Sequence, residues 1–322
     1  MRKLNKLINL RNLKIEYMNI KSQYPLTVIM SILFPASLFV GCSSEDPVEP
    51  DLRDIKFTAT LPYETRVTNN QWDLNDAIGV SVFNNTQAII ACYHDNVKLV
   101  ANKAGIETDF ISQNSQKIAM PSYDANFKLI AYYPYSQSNE FLGKYQDIYD
   151  QTTSNVDYLL ANEIVDATAT VCNLNFRHIL ARLELEFTAG SGVTLDEVKN
   201  GIYTITNTLP RDYKIRTDIS SMVGAFELGD NIMSNWEISK YGKVQKDDNS
   251  MKITLLLIPS GEVNINLKAN VKGKELSCSF PVLLTAGVSQ TININVDISK
   301  LLVRNFAIED WNCKTEPWGG FK

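Results

Sequence analysis

Only two imidazoles, His94 and His178, occur in the 322 residues. That is too few for a His-rich metal site and leaves little room for imidazole acid–base catalysis. His94 directly precedes Asp95, but neighbours on a strand point to opposite faces, so the pair is no catalytic dyad by itself. His178 falls in the strand-like run Phe176–Phe187, where a core histidine is expected. Beside Cys42 the cysteines are Cys92, Cys172, Cys278 and Cys313, with no CxxC or other metal-ligand spacing, and mostly free thiols are expected. Asp73, Asn75 and Asp76 look like part of a calcium loop, yet the glycine and distal glutamate of such a loop are missing, so a turn is expected. Tyr132, Tyr133 and Tyr135 flank Pro134; such rings can stack on sugars, and core packing is the expectation here. Acidic pairs such as Glu309–Asp310 are adjacent in sequence alone, and no GxSxG, P-loop, GxGxxG or HExxH occurs. The expectation is therefore a protein without catalytic residues, metal site or cofactor, and not an enzyme.

One cysteine does sit where chemistry is expected. Residues 1–24 carry Arg2, Lys3, Lys6, Arg11, Lys14 and Lys21; a mostly apolar run follows from Pro25 to Gly41, then Cys42-Ser43-Ser44-Glu45-Asp46. A basic start, an apolar stretch and a small-residue processing site make a targeting signal. Pro25 and Pro35 argue against a spanning helix. The true start is either Met1 or Met18. Phe39-Val40-Gly41-Cys42 resembles a bacterial lipoprotein lipobox, with Phe39 where leucine is usual. That resemblance implies acylation of Cys42 and anchoring in outer-membrane lipid. The acidic residues after Cys42 resemble a surface-export signal of Bacteroidetes lipoproteins. The whole chain carries a formal −5; residues 1–41 hold a net +5, so the remainder carries −10. An acidic chain argues against binding nucleic acid.

The elements that would present any site read as strands. Leu180–Phe187 alternates strictly: Ala181, Leu183, Leu185 and Phe187 one way, Arg182, Glu184 and Glu186 toward water. Val263–Leu267 and Ile292–Ile298 repeat the pattern. Further strands are expected over Ile55–Leu61, Ile78–Phe83, Ala88–Tyr93, Phe127–Tyr133, Ile202–Thr206, Ile253–Ile258, Leu276–Val282 and Leu301–Ile308. Turn residues separate them, Lys272-Gly273 among them. A short helix is expected near Asn155–Ala161. A boundary is expected where the turn-rich stretch Glu163–Asn175 interrupts the alternation. The division is residues 1–41 signal, 42–54 acidic tether, 55–172 first β-sandwich and 173–322 second.

Four phrases then stand in order: Thr65-Arg66-Val67 followed by Trp72-Asp73-Leu74-Asn75-Asp76-Ala77-Ile78-Gly79-Val80; Phe127-Lys128-Leu129-Ile130-Ala131-Tyr132-Tyr133-Pro134; Asn175-Phe176-Arg177-His178-Ile179-Leu180-Ala181-Arg182; and Ile308-Glu309-Asp310-Trp311-Asn312. Together with the lipobox-like start they resemble the fimbrillin family of Bacteroidetes, subunits of type V pili and their relatives. The resemblance implies an all-β chain of two tandem transthyretin-like Greek-key β-sandwich domains. It implies a structural or accessory subunit of a cell-surface pilus, exported as an outer-membrane lipoprotein. Its partners would be other pilin subunits, joined by donor-strand exchange after an Arg-specific protease removes the first strand. Carried onto this sequence, that strand is Ile55–Leu61 and the candidate cleavage position is Arg66; Arg53 precedes the strand and suits the role less. The tail Trp311–Lys322 holds Pro317 and two glycines and reads as irregular, with a donor strand as the other reading. The alternative function is a monomeric surface adhesin that binds glycan or host protein.

Overall fold

The computed structural model describes residues 52–61, 71–84, 92–112, 118–121, 126–137, 144–152, 156–166, 168–215 and 226–310. In chain order the first strands are β1 (Leu52–Asp54), β2 (Lys56–Thr60), β3 (Ala77–Asn84), β4 (Cys92–Ala101), β5 (Glu107–Ile111), β6 (Ala119–Pro121), β7 (Asn126–Tyr133), β8 (Gln146–Asp147), β9 (Leu159–Asp166), β10 (Val171–Asn175) and β11 (Arg177–His178). Then follow β12 (Ala181–Ala189), α1 (Leu195–Lys199), β13 (Ile202–Ile205), β14 (Leu209–Pro210), β15 (Asp212–Ile215), β16 (Phe226–Leu228), β17 (Ile232–Met233), β18 (Trp236–Glu237), α2 (Ile238–Tyr241), β19 (Lys243–Lys246), β20 (Met251–Leu257), β21 (Gly261–Val271), β22 (Lys274–Leu284), β23 (Val288–Asp297) and β24 (Lys300–Asp310). The chain is all-β, as its alternating pattern implied.

An eight-stranded sheet has the order β10-β2-β5-β4-β3-β7-β9-β11. One core lies against it, built from residues such as Phe57, Trp72, Val80, Phe127, Leu129 and Leu174. A second core is enclosed mainly by a five-stranded sheet, β19-β20-β12-β23-β24, and a four-stranded sheet, β18-β13-β21-β22. Ile130, Tyr132 and Leu160, from the first sheet, belong to that second core. This explains why β7 is buried on both faces and is apolar without a break from Leu129 to Tyr133. The two halves share one topological rule. In each, an early strand has an antiparallel neighbour on one side and a late parallel strand on the other: β2 lies between β5 and β10, and β12 between β20 and β23.

Residues 144–152 stitch the halves together. Asp147 on β8 pairs with Asp212 on β15, and its carboxylate holds the Arg211 guanidinium at 2.6 Å. Gln151 reaches β20, donating to Leu256 O at 2.7 Å and accepting from Leu256 N–H at 2.8 Å. Trp236 donates its indole N–H to Tyr149 O at 3.0 Å.

Local chemistry fixes several elements. The β21–β22 hairpin turns on Lys272 and Gly273, both at positive φ, 56° and 73°, as a two-residue primed turn requires. Gly79 lets the Tyr132 ring cross β3: a Cβ there would lie 2.3 Å from a ring carbon. α1 opens with a capping box, in which Thr194 accepts from Glu197 N–H and Glu197 accepts from Thr194 N–H.

Some expectations need correction. There is no helix at residues 156–161: Leu159, Leu160 and Ala161 pair with Tyr133, Tyr132 and Ala131 as the start of β9. Apolar side chains on both faces of a strand look locally like a buried helix. The strand expected at Ala88–Tyr93 instead starts at Cys92 and runs to Ala101; residues 85–91 lie outside the described residues. Glu184 faces outward yet is only 6% exposed, because β12 is central and Arg182 and Lys252 fold over the carboxylate. The stretch around residues 163–175 is not simply a break. β10 forms there and crosses back to pair with β2, so the expected division at 172/173 falls inside a strand.

Candidate functional site

β2 is the element on which the implied chemistry depends. Its sequence alternates, with Phe57 and Ala59 facing the core and Lys56, Thr58 and Thr60 facing out. On one side Phe57, Thr58 and Ala59 pair with Phe110, Asp109 and Thr108 of β5. On the other side they pair in parallel with Cys172, Asn173 and Leu174 of β10. Thr58 also donates its hydroxyl to the Asn173 side chain. Beyond the strand, Lys56 N–H reaches Thr170 O at 3.0 Å and Leu61 N–H reaches Ile106 O at 3.3 Å. Among the described strands β2 is the only ladder partner of β10. Withdrawing β2 would therefore strip main-chain partners from β5 and β10 together and open an apolar slot between them.

The wall beside this slot is aromatic. Trp72 is fully buried, with Phe110, Tyr133 and Phe176 packed edge-on at 5.0, 5.2 and 5.6 Å. Its backbone is tied to Gly105 in both directions, at 2.8 and 3.0 Å. The loop after Trp72 is the expected turn: Asp73 N–H donates to Asp76 Oδ2 at 2.8 Å, Asp76 N–H returns to Asp73 O at 3.0 Å, and Asn75 sits at φ 74°. Burial pushes the Asp76 carboxyl up, opposed by its bonds from Asp73 N–H and from the Tyr133 hydroxyl.

A second surface lies beside the second core, between the edge strands β22 and β24. It is a groove of about 280 Å³ lined by Phe280, Val282, Leu283, Ile292, Phe306 and Ile308, among others. Phe306 is 72% exposed and Ile308 61%. Edge main-chain groups beside uncovered apolar side chains can take up a further strand.

The remaining sequence candidates fall out as follows. His178 is a core residue, its Nδ1 2.9 Å from Asp157 Oδ1 with both side chains buried. Asp95, next to His94 in the chain, accepts from the Ser81 hydroxyl at 3.0 Å. Tyr132 is buried, donating to Asn96 Oδ1 at 2.7 Å, so it offers no stacking face. Cys172 and Cys278 are free thiols; burial pushes them up to about 12 and about 11. Among the described residues no three His, Cys, Asp or Glu side chains converge as a metal site, and no helix is long and apolar enough to cross a membrane. Cys42, Arg66, Trp311 and Cys313 lie outside the described residues. The parallel docking of β10 on β2 was missed in the sequence, since no local signal marks a pairing across that span of chain.

Comparison with known proteins accords with this architecture. The family model described as fimbrillin-like matches residues 65–311. A search of the curated proteins found no match. Among solved structures, a Bacteroides uniformis protein with a proposed role in cell adhesion is similar at TM-score 0.59 and 17% identity, covering 81% of this chain and 98% of that one. A Bacteroides ovatus protein with the same proposed role is similar at TM-score 0.59 and 20% identity, again covering 81% of this chain and 98% of that one. These two share the fold.

Proposed function

Because the chain belongs to the fimbrillin-like family, we propose that it is a structural or accessory subunit of a cell-surface pilus, delivered as a lipoprotein acylated on Cys42 and joined to its neighbours by strand exchange. The observation that carries this reading is the placement of β2. It is preceded in the fold only by β1, which pairs with β6; it lies between β5 and β10 and is linked onward through residues 62–70, which contain Arg66. A single cut in that link leaves β1 and β2 held by their ladders and by packing alone. A donated strand then restores the partners of both neighbours, and a repeated head-to-tail contact builds a filament. The partners are other pilin subunits, and outer-membrane lipid through Cys42. On this reading the chain is a building element and carries out no reaction of its own. We also read the described residues as two sandwiches: the first core takes its last residue in the chain from Phe176, and the second draws mainly on residues from Ile179 onward, with Ile130, Tyr132 and Leu160 among those reaching it from the first sheet.

The test uses purified residues 43–322 and a trypsin-like Arg-specific protease. The new N-terminus is read by mass spectrometry and size is followed over days. The expected result is cleavage after Arg66, a start at Val67 and growing oligomers. A chain that resists cutting, or is cut there and stays monomeric, refutes a polymerising role and leaves the monomeric adhesin for glycan or host protein as the reading to pursue.

A further inference from the structure

We infer that the slot between β5 and β10 selects its incoming strand by size, admitting inward side chains in the order bulky, small, bulky and in one direction only. This rests on the strand-exchange reading above and specifies the partner it requires. The rows across the sheet show why. Phe57 lies between Cys172 and Phe110, where a large ring fills the space beside a small thiol. Two residues on, Ala59 lies between Leu174 and Thr108, all three buried. Leu61, also buried, closes the row.

Both walls of the small position are tied down. The Thr108 hydroxyl donates to Lys103 O at 2.8 Å, so that side chain is fixed. Leu174 sits on β10 beside Asn175, whose backbone and side-chain N–H groups both bond Glu163 on β9, at 3.1 and 3.0 Å. Thr108 cannot turn away without breaking its bond, and Leu174 is buried on a strand tethered at Asn175, so a larger central residue meets a packed core. The outward positions are open by contrast: Lys56 and Thr60 are exposed. The direction is set as well. The strand runs parallel to β10 and antiparallel to β5, and a reversed strand would meet both ladders in the wrong hydrogen-bond pattern. A slip of one residue would turn Phe57, Ala59 and Leu61 outward. The partner is thus a segment of another subunit with large apolar residues two places either side of an alanine-sized one and polar residues between.

The experiment uses residues 43–322 cut after Arg66, with the released N-terminal fragment removed in mild denaturant. Fluorescein-labelled heptapeptides corresponding to Ile55–Leu61 are added, and capture is followed by anisotropy. Three are compared: the native sequence, Ala59→Leu, and Thr60→Leu, which adds an isobutyl group on the outward side. Native and Thr60→Leu peptides are expected to bind alike, and Ala59→Leu roughly 10- to 100-fold more weakly. Equal capture of Ala59→Leu would overturn the size selection while leaving strand exchange standing. Capture of none of the three would overturn strand exchange and this inference with it.

Discussion

Phe57→Ala probes the hold on β2 directly. The ring is buried between Cys172 and Phe110, and its removal leaves a cavity that those two side chains cannot close from an intact sheet. Truncating a buried phenylalanine costs about 3–5 kcal/mol. At no less than ~2 °C per kcal/mol, the unfolding transition should fall by about 6 °C or more. The consequence after cutting at Arg66 is larger in kinetic terms. The strand is then bound non-covalently, and 3–5 kcal/mol lost from its packing corresponds to release roughly 10²- to 10³-fold faster or more, at 1.4 kcal/mol per decade. The assay is differential scanning fluorimetry on the uncut chain, then dilution of the cut chain with timed size-exclusion and mass spectrometry of the freed fragment. Lys56→Ala, on the same strand but exposed, is the control and should change neither quantity appreciably. If Phe57→Ala melts with the native protein and its fragment leaves at the native rate, the packing of Phe57 does not hold the strand, and the argument from the slot fails.

Gln151→Ala removes both side-chain bonds to the Leu256 backbone and should cost about 2–5 kcal/mol, seen as a lower urea midpoint by circular dichroism; an unchanged midpoint would mean the strap carries no stability. Burial acts to raise the Glu184 carboxyl, but Arg182 and Lys252 outweigh it and hold the group below its ordinary range. A folded value below the unfolded one gives stability that is present above about pH 4.3 and lost as pH falls through the folded value. Glu184→Gln should therefore differ from the native protein at pH 7 and converge with it near pH 3; a gap that widens in acid contradicts this assignment. The double substitution Phe306→Ser, Ile308→Ser should change stability by less than ~1 kcal/mol, since both side chains are mostly solvent-exposed, yet lower the binding of an apolar dye such as anilinonaphthalene sulfonate. A large fall in melting temperature would show that the two are buried in solution.

Where one strand face met solvent, the sequence was readable. The alternation of Leu183, Leu185 and Phe187 placed β12, and Lys272-Gly273 marked the β21–β22 hairpin because only particular residues tolerate that turn. His178 was legible as a core residue from its neighbours. β9 was misread because Leu159–Ala161 is buried on both faces and has no period to detect. The first turn of α1 was overlooked although Thr194 and Glu197 stand at capping-box spacing. The burial of Glu184 depends on side chains from β20 and β23 folding over it, and no local pattern records that. The slot itself was half legible. The alternation of Phe57, Ala59 and Leu61 is written in the chain, but the walls of the small position come from Thr108 and Leu174, far along it.

The shared placement of β2 and β12 creates a hazard during folding. Two halves that each expect an early strand in the same place could each capture the other's, as tandem repeats do when they misassemble. The central residues discourage it. β12 would bring Leu185 to the position of Ala59, against Thr108 and Leu174, while β2 would bring an alanine to the space between Ile253 and Ile292. The first error overfills a core and the second leaves a void, each costing about 1–5 kcal/mol. A newly made chain is thereby steered to the correct pairing in each half before any neighbour is met.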